Sequence, residues 1–200
     1  LRVGRPEKEI VRLAGVLEAG MIVVGSRGLG AVGRALMGGV SDSVVRHAHC
    51  PVLVVRGQPL AFPTKILLAT DGSEEAYLAG STIAELARDS DSEVHVLHVG
   101  SAVPAYFVAT EEEPGRMARE ARKTLDDQVE RLEAADGTVG RAHLSFGRPP
   151  EEIVALAETI GAGLIVMGSR GRGGIRRALM GSVSDSVIRH AHCPVLVVRR

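Results

Sequence analysis

The strongest constraint on this chain is an internal repeat. Residues 4–56 align with residues 147–199 at a constant offset of 143, without a gap, and 38 of the 53 positions are identical. GRP at 4–6 matches GRP at 147–149, and VSDSVVRHAHCPVLVVR at 40–56 matches VSDSVIRHAHCPVLVVR at 183–199. A period of that length is domain-sized, so it marks a duplicated domain rather than a solenoid. The second copy begins near Phe62, after a short linker with Gly57, Gln58 and Pro59. Residues 62–146 have no counterpart upstream, so the first copy is short by roughly 80 residues. The expected organisation is the C-terminal half of one domain at 1–58 and a complete domain at 59–200. The first copy is then either a fragment or a vestigial half.

The complete copy reads as alternating strands and helices. Residues 65–70 (KILLAT) form an apolar strand that stops at Asp71-Gly72. Ser73 can cap the following helix, with Glu74 and Glu75 in its first turn and Ala76, Ala79, Ile83 and Ala87 on one face. Residues 93–99 give a second strand. An acidic start at Glu111–Glu113 and Pro114 opens a long helix with the stripe Met117, Ala121, Leu125, Val129 and Leu132. Residues 139–146 are a third strand, and Pro149-Pro150-Glu151-Glu152 opens a helix with Ile153, Leu156, Ala157 and Ile160 inward. Residues 164–168 and 195–199 are the fourth and fifth strands, separated by a helix around Ser184–His190. Such alternation predicts an α/β fold, a parallel sheet with helices on both faces.

In sheets of this kind, ligands bind beyond the carboxyl ends of the strands. The fourth strand runs into GSRGRGGIRRALMGSVS, residues 168–184. Gly168 and Gly171 allow the backbone to approach a ligand closely. Gly181, Ser182 and Ser184 stand where a helix begins, and a helix N-terminus suits phosphate. No acidic residue occurs between Thr159 and Ser184, whereas Arg170, Arg172, Arg176 and Arg177 all fall inside. A chain with 24 basic and 24 acidic residues has therefore made this loop cationic.

Other phosphate motifs fail. No GxxxxGK[ST] occurs. Residues 28–33 (GLGAVG) match GxGxxG, but a dinucleotide fold needs an acidic residue about 20 positions later, and 43–59 contains none. Zero net charge and about 2% aromatic residues argue against a nucleic-acid partner. No apolar run approaches the ~20 residues of a membrane span.

Taken together, Gly168, Gly171, Gly181 and Ser182 in the pattern Gly-x-x-Gly, nine residues, Gly-Ser, with the opening KILLATDGSEEA and the closing CPVLVVR, resemble the universal stress protein family. The resemblance covers 62–200 in full and 1–58 in part. It implies a five-stranded parallel sheet in the order 3-2-1-4-5, ATP binding, and self-association through the last strand. It also implies site roles: Ala69, Thr70, Asp71 and Val99 around adenine and ribose, and Met167 and Gly168 beneath the nucleoside. Arg170, Gly171, Gly181, Ser182, Val183 and Ser184 would hold the phosphates, and Mg²⁺ could accompany ATP through water and phosphate oxygens. Ala69 stands where the family often has Pro. The upstream copy keeps Gly25, Gly28 and Gly38, but Gly39 replaces the serine and the Asp-bearing strand is missing.

The remaining residues add no catalytic constellation. His47-x-His49 and His190-x-His192 lack further ligands at metal spacing, so helix-end and core packing is their expected role. Cys50 and Cys193 are two copies of one small residue rather than a disulfide. The expected function is a nucleotide-dependent regulator in the stress response, and the cytoplasm is the default compartment. The alternative is a slow ATPase or adenylate-transferring enzyme, which would need a positioned base that the 168–184 loop does not supply.

Overall fold

A computed structural model of the chain describes residues 3–26, 37–56, 62–101, 112–172 and 180–199. The expected linker at 57–61, the GxGxxG match, Gly28, Arg176 and Arg177 lie outside the described residues. The elements run α1 (Pro6–Val16), β1 (Ile22–Gly25), α2 (Gly39–His47), β2 (Val52–Val55), β3 (Lys65–Thr70), α3 (Glu74–Ala87) and β4 (Glu93–Ser101). They continue with α4 (Glu112–Ala134), β5 (Val139–Gly147), α5 (Pro149–Ile160), β6 (Leu164–Gly168), α6 (Ser182–His190) and β7 (Val195–Val198). Ser73 caps α3, its Oγ accepting from Ala76 N at 3.2 Å. β4 runs two residues past Val99 because β5 continues beside it, pairing Ser101 with Gly147.

The α/β expectation holds, with helices on both faces, but the sheet is larger than expected. It has seven strands in the order β1-β2-β7-β6-β3-β4-β5, where a five-stranded sheet plus a half copy was expected. It is also mixed rather than all parallel: β2 and β7 pair antiparallel, with Leu53 opposite Leu196. The cause is the apolar edge each copy carries. VLVV at 52–55 and VLVV at 195–198 satisfy each other's open backbone groups. The apolar edge at 51–56 was expected to pair with 194–199 of this chain or of a dimer mate, and here β2 pairs with β7 within the chain.

This pairing follows the repeat as a local two-fold. Arg46 Nη2 reaches Asp185 Oδ1 at 2.6 Å, and its equivalent Arg189 Nη2 reaches Asp42 Oδ1 at 3.0 Å. The hydrogen bond from Arg189, then the charges of Arg189 and Arg46, hold the Asp185 carboxyl below its ordinary range against the opposing effect of burial. Arg199 donates to the carbonyls of Val45, Arg46 and Ala48 at the end of α2. Arg56 donates likewise to Ile188 and Arg189 at the end of α6. Cationic side chains thus satisfy the last carbonyls of each helix from the opposite copy.

Two apolar layers flank the sheet. Leu67, Leu97, Ile165, Met167 and Val197 pack with Ile153 and Ala157 of α5, Val187 and Ile188 of α6, and Val44 and Val45 of α2. On the other face, Ile66, Leu68, Val96, Val166 and Leu196 pack with Ala79, Ile83, Leu125 and Leu132 of α3 and α4. Burying a Leu or Ile side chain contributes about 1.5–3 kcal/mol. Among the described residues no helix equivalent to α3 or α4 lies over β1 and β2. Accordingly Val23 is 61% exposed, whereas its repeat mate Val166 is 0% exposed.

Two buried polar groups, Gln128 and His95, and the partly buried His143 were not foreseen in the sequence. Gln128 of α4, wholly buried, accepts from Thr70 Oγ1 at 2.9 Å. A side chain at Gly80 would begin 2.4 Å from Gln128 Nε2, which explains a glycine inside α3. On β4 and β5, His95 Nδ1 and His143 Nε2 are 3.0 Å apart with stacked rings. Desolvation first lowers both histidine pKa values; for His143 the charge of His95 comes next. Neutral rings are therefore favoured in the folded state, and stability should be full above the ordinary value of 6.5. It should fall as pH drops below that value, where the unfolded chain takes up protons and the folded one does not. Melting temperature measured from pH 8 to pH 5 checks this. The decline should be shallower in His143→Phe, and an equal decline in both proteins would contradict it.

Candidate functional site

A cleft of about 610 Å³ opens at the carboxyl ends of β3, β4 and β6, between α4, α5 and the start of α6. All twelve residues singled out in the sequence line it. Ala69, Thr70 and Asp71 lie at and just beyond the end of β3, Val99 lies on β4, and Met167 and Gly168 end β6. Arg170 and Gly171 start the loop, while Gly181, Ser182, Val183 and Ser184 close it.

The loop leaves and returns at one point. Gly181 N donates to Ser169 O at 2.8 Å, and Ser184 Oγ donates to Gly168 O at 2.9 Å. The first copy repeats both bonds: Gly38 N to Ser26 O at 2.9 Å and Ser41 Oγ to Gly25 O at 2.6 Å. The hydroxyl of Ser184, expected to face a ligand, is buried and anchors α6 to β6. Ser182 remains exposed. Gly181 is the N-cap of α6 and has no side chain to bond the first-turn amides. Those amides and the helix dipole open onto the cleft, an arrangement that attracts anions.

The segment after β3 fastens the start of the loop. Asp71 Oδ1 accepts from Ser73 N at 3.0 Å, and Oδ2 accepts from Arg172 N at 2.7 Å. Glu75 Oε2 accepts from Ser169 Oγ at 2.6 Å and Arg170 N at 2.7 Å. Its Oε1 accepts from Arg170 Nε at 2.8 Å and Nη2 at 2.5 Å. Gly171 sits against this carboxylate frame, and a Cβ there would be 2.3 Å from Asp71 Oδ2.

Sequence reasoning missed the far wall. Met117, Glu120 and Thr124 of α4, with His98 and Phe146, also line the cleft. Glu120 and Thr124 share a helical face that adjoins the apolar stripe beginning at Met117, and that periodicity was the available signal. His98 donates from Nδ1 to Thr70 O at 2.8 Å. Leu97 and Ile153 complete an apolar floor. Among the described residues no group of His, Cys, Asp and Glu could hold a metal ion. His47 and His190 instead bond the Ser43 and Ser186 carbonyls one turn back. Cys50 and Cys193 are free, and burial pushes the Cys193 thiol up to about 11. No helix among the described residues is long and apolar enough to cross a membrane.

The chain was compared with known proteins. A universal stress protein of Mycobacterium bovis is 33% identical over 198 residues, covering 92% of this chain and 63% of the relative. This chain therefore spans less than two thirds of that relative's length. A universal stress protein of Methanocaldococcus jannaschii is 34% identical over 139 residues, covering 68% of this chain and 82% of the relative. Among solved structures, a universal stress protein from Archaeoglobus fulgidus aligns with a TM-score of 0.68 at 29% identity, covering 98% of this chain and 66% of that one. A universal stress protein solved in complex with cAMP aligns with a TM-score of 0.55 at 26% identity, over 70% of this chain and 99% of that one. The profile of the universal stress protein family matches residues 1–56 and 63–199. The chain belongs to the universal stress protein family.

Proposed function

We propose that the cleft binds an adenine nucleotide, with ATP as its natural ligand, and that the protein is a nucleotide-dependent regulator in the stress response. The observation that carries this reading is the uncapped N-terminus of α6 opening at one end of a deep cleft with an apolar floor. Adenine fits against Ala69, Leu97, Val99, Met167 and Ile153. Ribose comes to Asp71, and the phosphates come to the amides of Gly171 and of Ser182 to Ser184. A volume near 610 Å³ suits a ligand of nucleotide size. The cAMP complex of a solved family member supports a nucleotide here. Mg²⁺, where it accompanies ATP, is held by phosphate oxygens and water. Titration calorimetry tests the reading: ATP should bind more tightly than GTP, and equal or absent heats for both would overturn it.

In this reading residues 59–200 form one complete domain with strand order 3-2-1-4-5, and residues 1–58 are a half copy. The half copy takes the place of a second subunit on β7. In the half copy Gly39 stands in place of Ser182, so its loop lacks that hydroxyl.

Regulation rather than turnover follows from how the polar groups are spent. Both Asp71 oxygens accept backbone amides. No residue of the described loop is a base. Steady-state ATP hydrolysis should therefore stay below about 1 s⁻¹, beneath the ordinary enzyme range. Faster turnover would favour the alternative, an ATPase or adenylate-transferring enzyme.

A further inference from the structure

Glu75 lies outside the cleft lining, and the sequence assigned it only a place in the first turn of α3. Its side chain is 12% exposed, and each of its oxygens accepts two donors from Ser169 and Arg170. Arg170 Nε and Nη2 both bond Oε1, and hydrogen bonds between ionised groups are stronger than neutral ones. Three donor nitrogens of Arg170 that could meet a phosphate, its amide, Nε and Nη2, are therefore already taken. Arg172 differs. Its amide is fixed by Asp71, while its guanidinium makes no ion pair among the described residues. Arg172 lines the cleft, with Nη1 3.7 Å from where a side chain on Gly72 would begin.

We propose that Glu75 and Arg170 form a latch holding the phosphate loop to α3, and that, of the loop's two described arginines, Arg172 and not Arg170 meets the ligand's phosphates. Glu75 and Arg170 are then positioning residues. They set where the amides of residues 170 to 172 stand, and Asp71 does the same from β3. This deepens the nucleotide-binding reading and rests on it.

The two candidate arginines differ in what the ligand feels. A phosphate-contacting guanidinium contributes a charge that salt screens. A latch contributes loop order, and its loss leaves the salt dependence of binding as it was. The test is ATP titration of the full chain at low and high salt. Arg172→Gln should weaken binding about tenfold and flatten the salt dependence. Glu75→Gln and Arg170→Gln should each weaken binding by a similar, smaller factor, keep the parent salt dependence, and not add when combined. Tighter binding in Glu75→Gln would mean the carboxylate had been competing with phosphate for Arg170, and would overturn the proposal. So would a flattened salt dependence in Arg170→Gln. Amide hydrogen exchange in ligand-free protein provides a second reading. The Arg170 amide should exchange faster in Glu75→Gln than in the parent, and unchanged protection there would also overturn the latch. Should the parent bind no ATP, the functional reading fails, while this exchange measurement still decides the latch.

Discussion

The Gly171→Glu protein is expected to bind ATP at least 100-fold more weakly than the parent. Two effects combine. Any Cβ at this position meets Asp71 Oδ2 at 2.3 Å, so either the loop or the Asp71 carboxylate must move. Both are held, because that oxygen accepts the Arg172 amide and Glu75 grips the preceding residue. The added carboxylate then places a negative charge beside the phosphate site. A 100-fold loss corresponds to about 2.7 kcal/mol, which a displaced loop and charge repulsion together exceed. Gly171→Ala separates them, since it carries the clash without the charge and should lose less. Calorimetry with ATP checks both proteins, and their melting temperatures show that the sheet is intact. Unchanged affinity in Gly171→Glu would remove the loop from the binding account.

Leu196→Ala should destabilise the protein by about 3 kcal/mol, whereas Leu53→Ala should cost about 1 kcal/mol. The two leucines are repeat mates and face each other across the β2–β7 pair. Their surroundings differ. Leu196 is 1% exposed and packs in the layer beneath α3 and α4. Leu53 is only partly buried, at the margin of that layer. A buried truncation leaves a cavity as well as losing transfer free energy, and a half-exposed one leaves little cavity. For a chain of this size each kcal/mol is worth roughly 2–4 °C in melting temperature, so the shifts should be about 6–12 °C and 2–4 °C. Equal shifts would show that this face of the sheet is covered alike over β2 and β7 in solution.

What the sequence disclosed depends on how far apart the interacting residues lie. The strands of the complete copy were legible because each is a short apolar run between turn residues. The glycines of the loop were legible because they recur in both copies. The pairing of β2 with β7 was legible as an edge that needed a partner, although its consequence, one continuous mixed sheet, was not. Contacts between distant residues left no local trace. Glu75 looked like a favourable first-turn acid, and nothing near it pointed to Arg170, 95 positions away. Ser184 looked like a ligand donor, because the carbonyls that accept its hydroxyl are set by the return of the loop. Gln128 stands three residues after Leu125 within an apolar stripe, and a polar residue there reads as solvated until Thr70 supplies its partner.

The central claim is that one cleft, at the ends of β3, β4 and β6, receives an adenine nucleotide with its phosphates on the N-terminus of α6. A crystal structure of the chain grown with saturating ATP tests it most directly. The account predicts one nucleotide per chain, its base against Val99 and Met167. Its phosphates should lie within hydrogen-bond distance of the amides of Ser182 to Ser184, with Arg172 turned toward them and Arg170 still on Glu75. An empty cleft at saturating ATP, or a nucleotide bound elsewhere, would contradict it.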